Sequence, residues 1–549
     1  MPTVSTHRAT SPSRTPLSLG LDDAFQTFVT SNDVPNQVQA ACIRYRAHTL
    51  TCQLSFLAAQ TAWLEDERRG YLSALSAVRR LPLELLGEIF KLLLPSFLNA
   101  ADRHAMFNLG RVCSRWRDAL LNVPSLWRGL ILGPCACSLH GTRRSARRHA
   151  GDYGKLVAWF AKAGGAPKGL IYSSADLHCR CTRGGRCVSV DPLVVRLIKE
   201  GPQLDHFSLQ VSSISCFRAW MAALGFRSDS GPNPLGSLRS FSLDFVDETP
   251  QIWDDGNDPA ASVFKLLPLV PALGVFLPLR DSAFDEETDA SSCLINIPPT
   301  VLGPLVSLTI RWDWEGWHLF DVLAQCPALE MFTLDLNRSE PFDEGPPLVP
   351  LNLISLRSFR LVKGGLRILE FMRTPALLSL DLELNVRRFE TAEASDRLKR
   401  FLQASQALGR LRYLRICELV GAPGTVTIVL PPLPSLRHLV LDSGTACGYY
   451  FGPPSLDREG VYVNVNLPAL RHLELLNLKR SEYALAHEIK YLQRRVRGEP
   501  CMLTVSYAIE STVTEADLQC TARSGRFATP LSIQVVPPVD YEEERDLTL

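Results

Sequence analysis

"LPALRHLEL", residues 467–475, decides how most of this chain is read. Leu470, Leu473 and Leu475 spell Leu-x-x-apolar-x-Leu, and the last two alternate as inward-facing strand residues do. The phrase recurs as "LDHFSL" at 204, "LRSFSL" at 238, "LVSLTI" at 305, "LEMFTL" at 329, "LRSFRL" at 356, "LLSLDL" at 377, "LRYLRI" at 411 and "LRHLVL" at 436. A degenerate copy, "LGVFLP", starts at 273, and successive starts lie 21 to 35 residues apart. Several copies follow a proline, as in "CPALEMF" and "LPSLRHL". Apolar stretches between them, such as "HLFDVLAQC" (318–326) and "LRILEFM" (366–372), suit short helices. One such unit cannot bury its apolar face alone, so the units must stack.

One strand per repeat at this period resembles a leucine-rich-repeat solenoid, here over 200–510. The uneven spacing implies a ragged array with long loops; the alternative is a set of Leu-rich strands in another α/β fold. Residues between the leucines would line a concave face. Arg311, Asp335, Arg360, Asp381, Arg415, His438 and Glu474 are its candidate substrate contacts, and His472 lies on the same row. The charges are mixed, with neither a basic stripe nor an aromatic ladder, which argues against nucleic acid and leaves protein as the expected ligand. Trp312, Trp314 and Trp317 in "RWDWEGW" are of a type enriched at binding hot spots, although packing under a loop also explains them.

A second stretch, "RRLPLELLGEIFKLLLP" (79–95), predicts a helix over 82–94. Pro82 suits its first turn and Pro95 ends it. The helix is apolar nearly all round, and so needs cover from this chain or another. A helix follows over about 103–121, with Leu109, Val112, Cys113, Trp116 and Leu120 on one face, and a third piece spans 123–132. Three helices in about 50 residues struggle to bury so much apolar surface internally.

"LPLELLGEIFKLLL…LGRVCSRWRDALLNVPSLWRGL" resembles an F-box, and the helix running into "RRLP" resembles F-box proteins of mushroom-forming (basidiomycete) fungi. The resemblance implies docking of a Skp-family adaptor, and through it a cullin, in a ubiquitin ligase. It carries over to Leu81, Pro82, Leu86, Ile89, Phe90, Val112, Cys113, Trp116, Leu126 and Trp127, some of which build the domain's own core. Such a receptor needs no chemistry of its own; it concentrates a substrate near a charged conjugating enzyme.

The fold class expected is therefore α/β: an all-α N-terminal part (a helix plus a three-helix F-box), then the irregular solenoid. The domains are a disordered Ser/Thr/Pro-rich 1–36, a helix over 37–78, the F-box over 79–132, a linker and Cys-containing insertion over 133–199 with a possible first repeat, the repeats, and 511–549 with an acidic tail. Leu50, Leu54, Leu57 and Leu64 give the 37–78 helix about two heptads, which fits either an amphipathic helix on its own chain or a partner-binding coiled coil. A net charge of +1 over 549 residues gives no reason to expect an anionic membrane or nucleic acid. The most apolar run, 262–279, holds Lys265 and three prolines, so no membrane span is expected.

The N-terminus does not read as a secretory signal, so the 15 cysteines are expected to be mostly free in the cytoplasm or nucleus. "HCRCTRGGRC" (His178, Cys179, Cys181, Cys187) and "CACSLH" (Cys135, Cys137, His140) lack paired C-x₂-C knuckles and read as an insertion loop rather than zinc ligands. "RRSARR" (143–148) reads as a basic loop, with nuclear import as a second possibility. No phosphate loop, nucleophile elbow, metalloprotease helix or dinucleotide turn is found, so no catalytic residue, cofactor or metal is expected. Two readings follow. One is the substrate-recognition subunit of a Skp–cullin–F-box ubiquitin ligase; the alternative is a non-catalytic repeat scaffold outside any ligase, self-associating through the 37–78 helix.

Overall fold

The structure, a computed structural model, describes residues 33–75, 77–133, 143–174, 187–225, 234–245, 262–277, 295–311, 317–336, 349–384, 391–418, 429–442, 455–456, 462–463, 467–478, 485–493, 500–508, 514–523 and 531–538. The Ser/Thr/Pro-rich start, Trp312, Trp314, the acidic tail and every candidate thiol or imidazole of 135–187 except Cys187 lie outside these ranges. Two compact units divide the chain, Met1–Pro82 and Leu83–Leu549.

In the first unit, helix α1 (Gln37–Ala74) runs about 57 Å at 1.5 Å per residue. Asn36 and Gln39 cap its start reciprocally: the Gln39 N–H donates to Asn36 Oδ1 at 2.9 Å, and the Asn36 N–H to Gln39 Oε1 at 3.0 Å. Leu50, Leu54, Leu57 and Leu64 are all exposed. A 3₁₀ turn, Ala77–Arg80, follows.

The second unit opens with α2 (Leu83–Leu93), α3 (Ala100–Val112) and α4 (Ser114–Leu121). The single helix expected over 103–121 is in fact two. Cys113 is extended (φ −163°, ψ 171°), and the bend swings Trp116 under Phe90 with ring centroids 5.2 Å apart. No proline or glycine marks the break, so tertiary packing decides it. Asn99 and Asp102 form a capping box at the start of α3, with Asp102 N–H to Asn99 Oδ1 at 2.9 Å. Losing such a cap costs about 1 kcal/mol. We therefore expect Asn99→Ala to speed hydrogen exchange of the first-turn amides of α3 several-fold and to leave the strands' protection unchanged. At Gly87 a Cβ would meet Val123 Cγ2 at 2.5 Å, so only glycine lets α2 approach that side chain.

The expected third helical piece over 123–132 is a 3₁₀ turn, Pro124–Trp127, followed directly by a strand, β1 (Gly129–Leu132). Thirteen further strands of the same sheet follow among the described residues: β2 (Gly169–Ser173), β3 (His206–Val211), β4 (Ser240–Phe245), β5 (Ala272–Phe276), β6 (Ser307–Arg311), β7 (Met331–Asp335), β8 (Ser358–Gly364), β9 (Ser379–Leu384), β10 (Tyr413–Glu418), β11 (His438–Asp442), β12 (His472–Leu478), β13 (Cys501–Tyr507) and β14 (Leu531–Val535). The fourteen form one parallel sheet in chain order. The sheet thus extends beyond 200–510 at both ends. Strands β1, β2 and β14 lack the leading leucine of the phrase but pair in the same register.

The register stacks like positions. A buried row runs Leu130, Leu170, Phe207, Phe241, Leu273, Leu308, Phe332, Phe359, Leu380, Leu414, Leu439, Leu473, Leu503 and Ile533. The row two residues on is buried as well through Leu209, Leu243, Ile310, Leu361, Leu382, Ile416 and Leu475. Burying each such side chain stabilises by about 1.5–3 kcal/mol, and no single strand achieves it without neighbours. Helices between strands cover this apolar face: α7 (Ile214–Leu224; α5 and α6 are Arg143–Lys162 and Pro192–Glu200) buries Phe217, Trp220 and Met221. It ends on Gly225 at φ +85°, a left-handed position that suits glycine. The basic run 143–148 begins α5 rather than forming a loop.

The three N-terminal helices of this unit are not a bead on a string. Leu98 bridges to Leu130 of β1, the Trp127 indole N–H donates to Leu120 O at 2.9 Å, and Trp127 packs on Trp159 of α5 at 4.6 Å. Among the described residues no helix is long and apolar enough to cross a membrane.

Candidate functional site

Two surfaces carry the candidate residues. The first is α2. At 100° per residue, Leu86, Phe90 and Leu94 fall on one stripe and are buried. Leu85, Ile89, Leu92 and Leu93 fall on another and are 50, 40, 88 and 63% exposed. The helix therefore spends one apolar arc on its own core and presents the other. On α3, Phe107 and Val112 are 51 and 59% exposed. Among the residues singled out by sequence, Leu86, Phe90, Leu126 and Trp127 are buried, Cys113 and Trp116 are half-buried, and Ile89 and Val112 are exposed. In the first unit Leu81 is half-buried and Pro82 exposed. Leu85, Leu92 and Leu93 were not among those candidates. Their signal lay in the same helix, where two adjoining arcs, centred about 110° apart at 100° per residue, are both apolar.

The second surface is the polar face of the sheet, where residues between the leucines align from strand to strand. Here most charges face one another. Arg311 lies 3.7 Å from Asp244 and 3.8 Å from Asp335. Arg415 holds Asp381 at 3.0 Å and Asp442 at 3.5 Å, and Arg360 reaches Asp381 at 3.5 Å. Asn477 donates to Asp442 Oδ1 at 3.0 Å. Burial pushes the Asp244 carboxyl above its ordinary range, with Arg311 and a hydrogen bond from Gln210 opposing. The seven candidate contacts thus fall into three lateral sets across neighbouring strands (Arg311 with Asp335; Arg360 and Arg415 with Asp381; His438 with Glu474), and Arg415 is buried within its set. Trp317 begins α9 (Trp317–Ala324; α8 is Pro299–Leu302).

At β11 to β13 the ladder changes to imidazoles. His438 and His472 are register partners, their rings stacked at 4.5 Å. Glu474 Oε1 lies 2.6 Å from His438 Nε2 and 3.5 Å from His472 Nδ1. His472 Nε2 pairs with Thr504 Oγ1 at 2.9 Å. The hydrogen bond from His438 holds the Glu474 carboxyl below its usual range, aided by the charges of both histidines and Arg415 and opposed by burial. Burial, with His438 adding and Glu474 opposing, lowers His472. Burial pushes the Tyr413 phenol, edge-on to His438, up to about 12. His472 and Thr504 were not candidate contacts. The repeated "LRH" of two consecutive phrases was the signal, because equal phrase positions become lateral neighbours.

Comparison with known proteins bears on the first surface. Residues 78–132 match the F-box-like family, which spans α2, α3, α4 and the first strand of the sheet. No curated protein matches the chain. Among solved structures, a chain described under "Structure of the Toll - Spatzle complex, a molecular hub in Drosophila development and innate immunity" is 15% identical, with a TM-score of 0.24. That alignment takes in 69% of this chain and 60% of that one, and at this TM-score it carries no argument. The chain carries an F-box-like domain at 78–132, joined to a long parallel sheet.

Proposed function

We propose that this protein is the substrate-recognition subunit of a Skp–cullin–F-box ubiquitin ligase. The F-box-like match at 78–132, with its exposed Leu85–Ile89–Leu92–Leu93 stripe, carries the reading. F-box domains bind Skp-type adaptors, and proteins that contain them are typically non-catalytic receptors. The exposed arc of α2, with Val112 at the end of α3, is the surface we assign to the adaptor. Phe90, Leu126 and Trp127 hold the helices that present it.

The parallel sheet is read as a leucine-rich-repeat solenoid whose polar face selects a protein substrate. Arg311, Asp335, Arg360, Asp381, His438 and Glu474 line that face, while Arg415 braces its neighbours from below. The substrate is brought near a charged conjugating enzyme, so the rate gain is one of effective concentration. The cytoplasm or nucleus, where such ligases work, is the compartment proposed.

Tagged full-length protein, expressed in fungal cells, should recover a Skp-family adaptor and a cullin. Proximity labelling with and without proteasome inhibition should then enrich substrates that accumulate only on inhibition. Recovery of neither adaptor nor cullin, from protein shown to be folded, would sink the reading.

A further inference from the structure

We propose that His438, His472 and Glu474 form a zinc site on the polar face of the sheet, across β11 and β12, with Thr504 of β13 orienting the second imidazole. The site is independent of the ligase reading, since zinc binding requires neither adaptor nor substrate.

The register makes the site. His438 and His472 are directly opposed on neighbouring strands, and Glu474 lies two residues beyond His472, so all three project from one face. One ligand atom from each lies within 4.8 Å of the other two. Two imidazole nitrogens already converge on a single oxygen, Glu474 Oε1, at 2.6 and 3.5 Å. In tetrahedral zinc coordination with bonds of about 2.0–2.1 Å, ligand atoms stand about 3.3 Å apart. The second separation already fits. The first must open by about 0.7 Å, within reach of a Glu474 side-chain rotation. The stacked rings, 16° from parallel, must also splay to aim at one ion. Both histidines are only half-buried, which leaves them room to turn.

Thr504 supplies a separate argument. A metal-bound histidine characteristically gives its other ring N–H to an oxygen, which fixes the tautomer and the ring's aim. His472 Nε2 sits 2.9 Å from the buried Thr504 Oγ1; a proton donated there leaves the Nδ1 lone pair turned toward Glu474. Two nitrogens and one carboxylate oxygen disfavour magnesium and calcium, which take oxygen ligands, and match three-ligand zinc sites with a fourth position left to water. Arg415 opposes a cation here, but its guanidinium is held by Asp381 and Asp442, which offset its charge.

The test uses the untagged full-length chain, stripped of metal and titrated with zinc chloride in a calorimeter, then with cobalt chloride by absorption. One equivalent of zinc should bind, and the cobalt spectrum should show no sulfur-to-metal charge-transfer band. A Cys179→Ser/Cys181→Ser/Cys187→Ser variant should bind as the parent does. His438→Gln/His472→Gln should weaken binding at least 100-fold, and Thr504→Val by 10- to 100-fold. Circular dichroism and melting of the metal-free variants establish that they fold. Should the double variant fail there, Glu474→Gln carries the same expectation of weakened binding. Absence of a bound equivalent, binding that survives loss of both histidines, or binding that vanishes with the cysteines would each overturn the proposal.

Discussion

Ile89→Asp combined with Leu92→Asp should weaken capture of a Skp-family adaptor by the full-length chain at least 100-fold, with no change in how the chain melts. Ile89 and Leu92 are 40 and 88% exposed and lie one turn apart on the arc of α2 that the core does not use. Each apolar side chain fully covered by a partner contributes about 1.5–3 kcal/mol. Scaled by those exposures, the two contribute about 1.9–3.8 kcal/mol, a range that brackets the roughly 2.7 kcal/mol of a 100-fold change in affinity. A carboxylate in the same place adds an unpaired buried charge. Phe90→Ala is the contrast. That ring is fully buried edge-on to Trp116, and its removal should cost about 3–5 kcal/mol of local stability. It should lose capture through unfolding, visible as proteolysis within 83–127 and lost near-ultraviolet signal. Titration calorimetry of folded Ile89→Asp/Leu92→Asp protein decides the matter; parental affinity would remove α2 from the interface.

Much of this architecture was legible because one period is written plainly. Leu-x-x-apolar-x-Leu places alternate residues on one face, so Leu439, Leu441, Leu473 and Leu475 declare themselves core. Strand β1 was not legible, and β2 lies in a stretch, 133–199, read only as holding a possible first repeat. "GLIL" and "GLIYS" are short apolar runs without the leading leucine; the second pairs with β3 and the first only with the second. The break at Cys113 was hidden for a related reason: the contact that accompanies it, Trp116 on Phe90, joins residues more than twenty apart, and no proline or glycine stands at Cys113 itself. The site was half legible. Sequence pattern names the polar face but not which of its residues pair, and Arg415 shows the difference. Its phrase position promised a solvent-facing contact, but acids on the two flanking strands draw the guanidinium inward.

Arg415→Met should be among the most damaging single changes in the sheet, at about 3–5 kcal/mol. The Arg415 side chain is 6% exposed, and of its two carboxylates Asp381 is 17% exposed and Asp442 0%. Methionine fills much the same volume, so the loss reports charge rather than a cavity. What remains is a buried carboxylate that has lost the guanidinium and to which Asn477 still donates. Arg415→Lys keeps the charge but not the forked geometry that spans Asp381 and Asp442, and should fall between parent and methionine. The decisive comparison is Arg415→Met with Asp442→Asn. If the cost lies in the abandoned charge, the second change should restore a large part of it, because asparagine keeps an oxygen for Asn477 and carries no charge. Hydrogen exchange of β10 to β12 amides reads this locally, where a global melt of so long an array would blur it. Equal exchange in Arg415→Met and in the double variant would mean that the guanidinium acts by packing alone. The ladder would then be a by-product of strand register rather than a source of the sheet's stability.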